Sequence, residues 1–169
     1  MLLRSLELGD ELEAISAHEE LAADNFTFLL DYKSGMLWSE YVAFIKHLKE
    51  GEQLPEGYVP SNFLVADQDS QIIGRTSIRY ELNDFLFTRG GHIGYAVRPA
   101  YRNKGFAKEI LQLSLIHLKD TGVDKALVTC NDDNSFSAKV IEFCGGIMEN
   151  KVEYEEKVTR RYWIDLNSI

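Results

Sequence analysis

The sequence predicts a mixed α/β domain of the α+β kind, on three observations. The first third is helical in its spacing of apolar residues, while most of the remainder alternates or is β-branched in short runs. One of these runs, "HIGYAV", passes through a proline into an amphipathic helix, and a second apolar run, "KALVTC", follows that helix. A strand–helix–strand order of this kind predicts a parallel, right-handed unit. At 169 residues the chain can bury a substantial core but is short for two domains, so residues 1–169 are read as one.

"LLRSLEL" opens the chain as a short strand, and Asp10 is placed to cap a helix in which Leu12, Ile15 and then Glu19 or Ala22 follow helical spacing. "DYKSGM" reads as a loop. From Leu37 to Lys49, Trp38, Tyr41, Val42, Ile45 and Leu48 form one stripe of a second helix, which Gly51 ends. The proline-bearing loop "EQLPEGYVP" delivers the chain into the strand "SNFLVADQ"; after the turn "DQDSQ", "IIGRTSIRYEL" alternates as a strand does. "NDFLFTRGG" interrupts that pattern before "HIGYAV" restores it, and Pro99 ends pairing because it has no N–H to give a ladder. Between Gly105 and Thr121, Ala107, Ile110, Leu111 and Leu118 share a helical face, with Gly122 at the end. "KALVTC" is a buried-type strand, Asn134 precedes a helix over "SFSAKVIEFC", and "IMENKVEYEEKVTRRYWIDL" reads as two strands.

Composition excludes several classes of function. Asp and Glu outnumber Lys and Arg by 27 to 18, and the resulting net charge of −9 repels nucleic-acid phosphates and anionic lipid. A cationic small molecule or basic peptide is easier to attract. No apolar run reaches the roughly 18 residues that span a bilayer, and the N-terminus lacks a secretory pattern, so a cytoplasmic address is expected. Cys130 and Cys144 form no CxxC pair and are read as reduced thiols; no metal site is expected from them and the four histidines.

Chemistry concentrates where "VRPAYRNKGFAKEIL" turns from strand to helix. Such a turn leaves unpaired N–H groups at the positive end of a helix dipole, which is an anion site. Gly105 permits close backbone approach, and Arg102, Lys104 and Lys108 add charge. The spacing is neither Gly-x-Gly-x-x-Gly nor a Walker loop, so nucleotide hydrolysis is not supported. An ordinary helix start is the competing reading.

Arg102, Gly105 and Ala107, set between a strand and a helix, resemble the signature of the GNAT (GCN5-related) N-acetyltransferases: Arg or Gln, two residues, Gly, one residue, Gly or Ala. The resemblance extends over roughly Phe63 to Gly146. It implies a GNAT-like, mostly antiparallel central sheet with a parallel strand–helix–strand core flanked by helices, and acetyl-CoA as co-substrate without a metal. It implies that the coenzyme pyrophosphate is held by Asn103, Lys104, Gly105, Phe106, Ala107 and Lys108, and that the pantetheine arm pairs with backbone near Ala96 and Val97. The strand ending at Val97 is then expected to splay from "KALVTC". Asn134 matches a family position that contacts the coenzyme, with a plain helix cap as the equal alternative, and Ser137 belongs to the same helix start. The family's tyrosine acid has no counterpart, because Ile141 occupies its position.

Acetylation of an amine with a pKa of roughly 10.4 requires a proton acceptor. His92 is the first candidate, with a turn-closing histidine as the alternative; Glu81 and Asp84 are rivals, and Tyr80 and Tyr95 are potential donors or packing residues. Strand alternation puts His92, Gly94 and Ala96 on one face and Ile93, Tyr95 and Val97 on the other. Trp38, Tyr41, Phe44 and Ile45 either line an acceptor pocket or fill the core. The expected activity is acetyl transfer to a primary amine of a small molecule or peptide, a cationic one by the charge argument, with a homodimer compatible with this reading. A non-catalytic acyl-CoA-binding sensor is the alternative.

Overall fold

The computed structural model describes residues 1–169 and places seven strands in one sheet of order β1-β2-β3-β4-β5-β7-β6. These are β1 (Leu2–Arg4), β2 (Ser61–Gln68), β3 (Gln71–Arg79), β4 (Ile93–Val97), β5 (Lys125–Asn131), β6 (Ile147–Tyr154) and β7 (Lys157–Asp165). All neighbours are antiparallel except β4 and β5, which the crossover helix α3 (Phe106–Lys119) makes parallel. The sheet is therefore mixed and mostly antiparallel, as the sequence reading expected.

Helices α1 (Glu11–Ala22) and α2 (Trp38–Glu50) cover one face, packing Leu21, Trp38, Tyr41 and Ile45 against Phe63, Val65, Ile72 and Ala96. On the other face, α3 and α4 (Ser135–Phe143) pack Leu111, Leu115, Ala138 and Ile141 against Ile78, Ile93, Val128 and Tyr162. Burying one face of each helix against an apolar sheet face is what holds the layers together, at roughly 25 cal/mol per Å² of apolar surface removed from water.

Two local expectations are corrected. The buried stripe of α1 is Ala14, Ala17 and Leu21, while Leu12 is 86% exposed, because small alanines let α1 approach the sheet closely. Asp10 precedes α1 without a side-chain cap bond; its carboxylate pairs with the Arg4 guanidinium at 2.7 Å and accepts from the Glu7 N–H, tying β1 to the helix start. Gly51 ends α2 in the left-handed conformation, at φ +76°, as its position suggested.

Candidate functional site

After β4, one turn of 3-10 helix (Pro99–Tyr101) leads through Asn103 (φ +61°) and Gly105 (φ +88°) into α3. A Cβ on Gly105 would meet nothing within 4 Å, so the glycine answers to the backbone angle rather than to crowding. The N–H groups from Asn103 through Ala107 have no partner in the chain, whereas Lys108 and Glu109 both donate to the Gly105 carbonyl. The predicted cradle thus loses the Lys108 N–H. Its charges are also turned aside: Arg102 pairs with Asp24 at 2.7 Å and donates to the Val97 carbonyl, Lys104 bonds the Ala100 carbonyl, and the Lys108 ammonium lies 3.6 Å from the Phe143 ring centre. What remains for an anion is the exposed run of N–H groups at a helix N-terminus.

The parallel strands β4 and β5 meet at one pair, Ile93 with Val128, and diverge beyond it. Bonds from the Arg79 N–H to the His92 carbonyl and from the Arg98 N–H to the Ile73 carbonyl frame the β3–β4 ladder. In an antiparallel ladder that parity directs the backbone of Gly94 and Ala96 to β3 and leaves Tyr95 and Val97 facing the gap. Ala96, grouped with Val97 by sequence, is committed to its neighbour strand.

His92 pins the closed end of this gap. It is 6% exposed, donates its N–H to the Leu127 carbonyl at 2.7 Å and accepts the Leu127 N–H on Nδ1 at 2.9 Å. Accepting at Nδ1 puts the proton of the neutral ring on Nε2, so the lone pair a base would use is occupied. Burial, reinforced by the nearby Arg79 charge, lowers the imidazole pKa from 6.5 to about 4. The geometry is that of a brace between strands.

Across the gap, the Asn134 side chain caps α4 by accepting the Ser137 N–H at 3.0 Å, and the Ser137 hydroxyl lies 3.0 Å from the Tyr95 hydroxyl. Strand alternation holds in β4, so Tyr95 points to the α3–α4 face and its hydroxyl reaches the first turn of α4. Burial raises its pKa and keeps it protonated. Ile141 is fully buried in the core, and the Cys130 and Cys144 thiols are buried with raised pKa values, so none of these three takes the acid's place.

On the opposite face, β3 directs Arg75 and Arg79 towards the layer formed by α1, α2 and their connection. Arg75 donates to the carbonyls of Gly94 (3.2 Å) and Thr27 (3.0 Å), and Arg79 to those of Gly90 and Gly91. Glu81 and Asp84, the rival bases, lie exposed in the β3–β4 connection. Tyr41 and Ile45 are core residues. Sequence reasoning passed over the two arginines, although the alternation of "GRTSIR" gives them one face and a signal of that kind was available.

The chain thus sets a strand–turn–helix with unpartnered N–H groups beside a splayed parallel pair of strands. The family model for the acetyltransferase (GNAT) domain matches residues 1–147, and the chain belongs to that family. No curated protein matches it in sequence. Among solved structures it is similar to yncA of Salmonella typhimurium with its cofactor acetyl-CoA, at 14% identity and TM-score 0.66, covering 98% of this chain and 93% of that one. A point mutant of spermidine N-acetyltransferase SpeG of Vibrio cholerae gives 17% and 0.66, covering 99% and 96%. Ribosomal-protein-S5-alanine acetyltransferase of Vibrio fischeri gives 15% and 0.72, covering 98% and 92%. At these identities the likeness is one of fold. No helix is long and apolar enough to cross a membrane.

Proposed function

We propose that this protein transfers an acetyl group from acetyl-CoA to a primary amine by direct attack within a ternary complex. The observation that carries the reading is the run of unpartnered N–H groups from Asn103 to Ala107 at the mouth of the β4–β5 gap. These groups suit a diphosphate, and the gap-facing backbone of Tyr95 together with the Val97 N–H suits an extended amide-bearing arm added like a strand, the Val97 carbonyl being taken by Arg102. When bound there, acetyl-CoA supplies an activated acyl group whose C–S bond breaks, the electron pair staying on sulfur, as the amine nitrogen forms its N–C bond.

The chain's own residues then have separable tasks. The Tyr95 hydroxyl, oriented by Ser137, is the proton donor towards the leaving sulfur, in the role that buried Ile141 lacks the chemistry to fill. The amine's proton leaves through water, with Glu81, exposed in the β3–β4 connection, as the carboxylate that receives it. His92 is a positioning residue that fixes the closed end of the gap. Asn134 shapes the start of α4 by its cap bond.

Thiol release on mixing acetyl-CoA with a panel of primary amines tests the activity, and calorimetry with acetyl-CoA tests the site. Turnover with at least one amine is the expected result. Tight coenzyme binding with no thiol release from any amine would favour a non-catalytic sensor, and absence of binding would overturn both readings.

A further inference from the structure

Removing an ion from water is costly unless a partner compensates it. Arg75 is 4% exposed, and neither it nor Arg79 belongs to any ion pair of the chain. Its acceptors are the neutral carbonyls of Gly94 and Thr27, and its guanidinium lies 4.9 Å from the Phe26 ring centre and 5.8 Å from that of Phe63. Burial lowers its pKa to about 9, which still leaves it charged at neutral pH.

Three buried side-chain polar atoms in the protein lack a partner: Arg75 Nε, the Tyr41 hydroxyl and one nitrogen of Arg161. Two of them lie in one region, since Tyr41 packs in the same buried cluster as Phe63, whose ring the Arg75 guanidinium faces. Asp31, the carboxylate that also acts on Tyr41, is exposed and pairs with neither arginine. Gly94 completes the place. A Cβ there would have Arg79 Nη1 at 3.5 Å and Arg75 Nη1 at 3.8 Å as its nearest neighbours, so the direction out of β4 at Gly94 runs between the two guanidinium groups.

We propose that Arg75 and Arg79, with the Tyr41 hydroxyl, form a carboxylate-binding subsite, and that the acetylated amine is a small molecule carrying a carboxylate. The inference rests on the acetyl-transfer reading for its amine and takes the place of the cationic acceptor expected from net charge. A planar fork pair matches a carboxylate's two oxygens, and Tyr41 and Arg75 Nε bring donors that the chain itself does not use. The net charge of −9 does not oppose such a substrate, because an amine-carboxylate zwitterion carries no net charge for the long-range field to repel. The subsite lies on the His92–Gly94–Ala96 face of β4, on the side covered by α1 and α2, opposite the Tyr95 hydroxyl.

The test compares thiol release from acetyl-CoA with amino acids, β-alanine and γ-aminobutyrate against their carboxamides, with putrescine and spermidine as purely cationic amines. The best acid should exceed its amide by about thirtyfold or more in kcat/KM, the least expected for losing one partner of a buried charge pair. Arg75→Met should bring that ratio close to one while calorimetric affinity for acetyl-CoA is retained; Arg75→Lys should restore it in part. Since deleting a buried arginine can unfold the chain, Arg79→Gln at its less buried position and the Tm rise produced by the same acids are measured alongside. Equal rates for acid and amide, or a best substrate among the polyamines, would overturn the proposal. If acetyl-CoA binds but no amine turns over, the acetyl-transfer reading fails by itself. The subsite then stands on an Arg75-dependent Tm rise seen with an acid and not its amide, and falls without one.

Discussion

Protonating His92 would sacrifice its bond from the Leu127 N–H, and this one contact changes what the residue is expected to do in solution. Its pKa is 6.5 when free and about 4 in the folded chain, so the unfolded chain takes up a proton first as pH falls. The stability it contributes is complete above pH 6.5 and is lost progressively towards pH 4. Tm measured across that window should decline more steeply for the wild type than for His92→Gln, and kcat/KM should show no limb near 6.5 that the Gln variant removes. A limb abolished by that substitution would reinstate His92 as the base. Tyr95 makes the complementary case. Tyr95→Phe deletes one hydrogen bond to Ser137 and should cost about 1 kcal/mol of stability, but kcat should fall by roughly two to four powers of ten if the hydroxyl is the acid. A Tm loss with normal kcat would leave Tyr95 a packing residue.

Among the elements, the turn into α3 was the most legible, because Gly105 signals its own backbone requirement and an amphipathic run follows directly. Strands β2 and β5 were equally readable from short apolar runs with turn residues on both sides. What could not be read was partner choice. Arg102, Lys104 and Lys108 suggested phosphate ligands by proximity in sequence, yet Arg102 and Lys108 meet Asp24 and Phe143, far along the chain, and Lys104 bonds the nearby Ala100 carbonyl. The same limit hid Arg75, whose significance comes from Thr27 and Tyr41, residues far away along the chain. The turn gives its own prediction. Gly105→Val forces a β-branched residue to φ +88° with no steric clash, so the cost is backbone strain on the order of 1–3 kcal/mol. Relieving that strain moves the N–H groups of Asn103 to Ala107, and acetyl-CoA affinity should drop by tenfold or more in calorimetry while the far-ultraviolet circular dichroism stays unchanged. Unaltered affinity would remove this turn from the binding site.

At the scale of the whole molecule, the sheet behaves as two antiparallel halves, β1 to β4 and β5 to β6, hinged at a single parallel contact. Composition announces the layers but not the hinge, because a splay is set by which backbone groups fail to pair. Gly91 occupies the hinge in a conformation (φ +66°, ψ −178°) that strongly favours glycine, and a Cβ there would stand 2.6 Å from the Leu127 carbonyl oxygen, inside any permitted contact. That oxygen is the acceptor of the His92 N–H, so crowding it breaks the bond that holds β4 to β5. Gly91→Ala should therefore lower stability by about 2–4 kcal/mol, combining left-handed strain with the clash, and should weaken acetyl-CoA binding from a distance because the width of the gap is no longer fixed. Gly57→Ala is the control. Its φ of +84° is also positive, but nothing lies within 4 Å of the added carbon and Gly57 sits in the α2–β2 connection, outside the β4–β5 pair. Stability should fall modestly in the control with coenzyme affinity intact. Equal losses of affinity in both variants would mean that general destabilisation, rather than the hinge, controls the site.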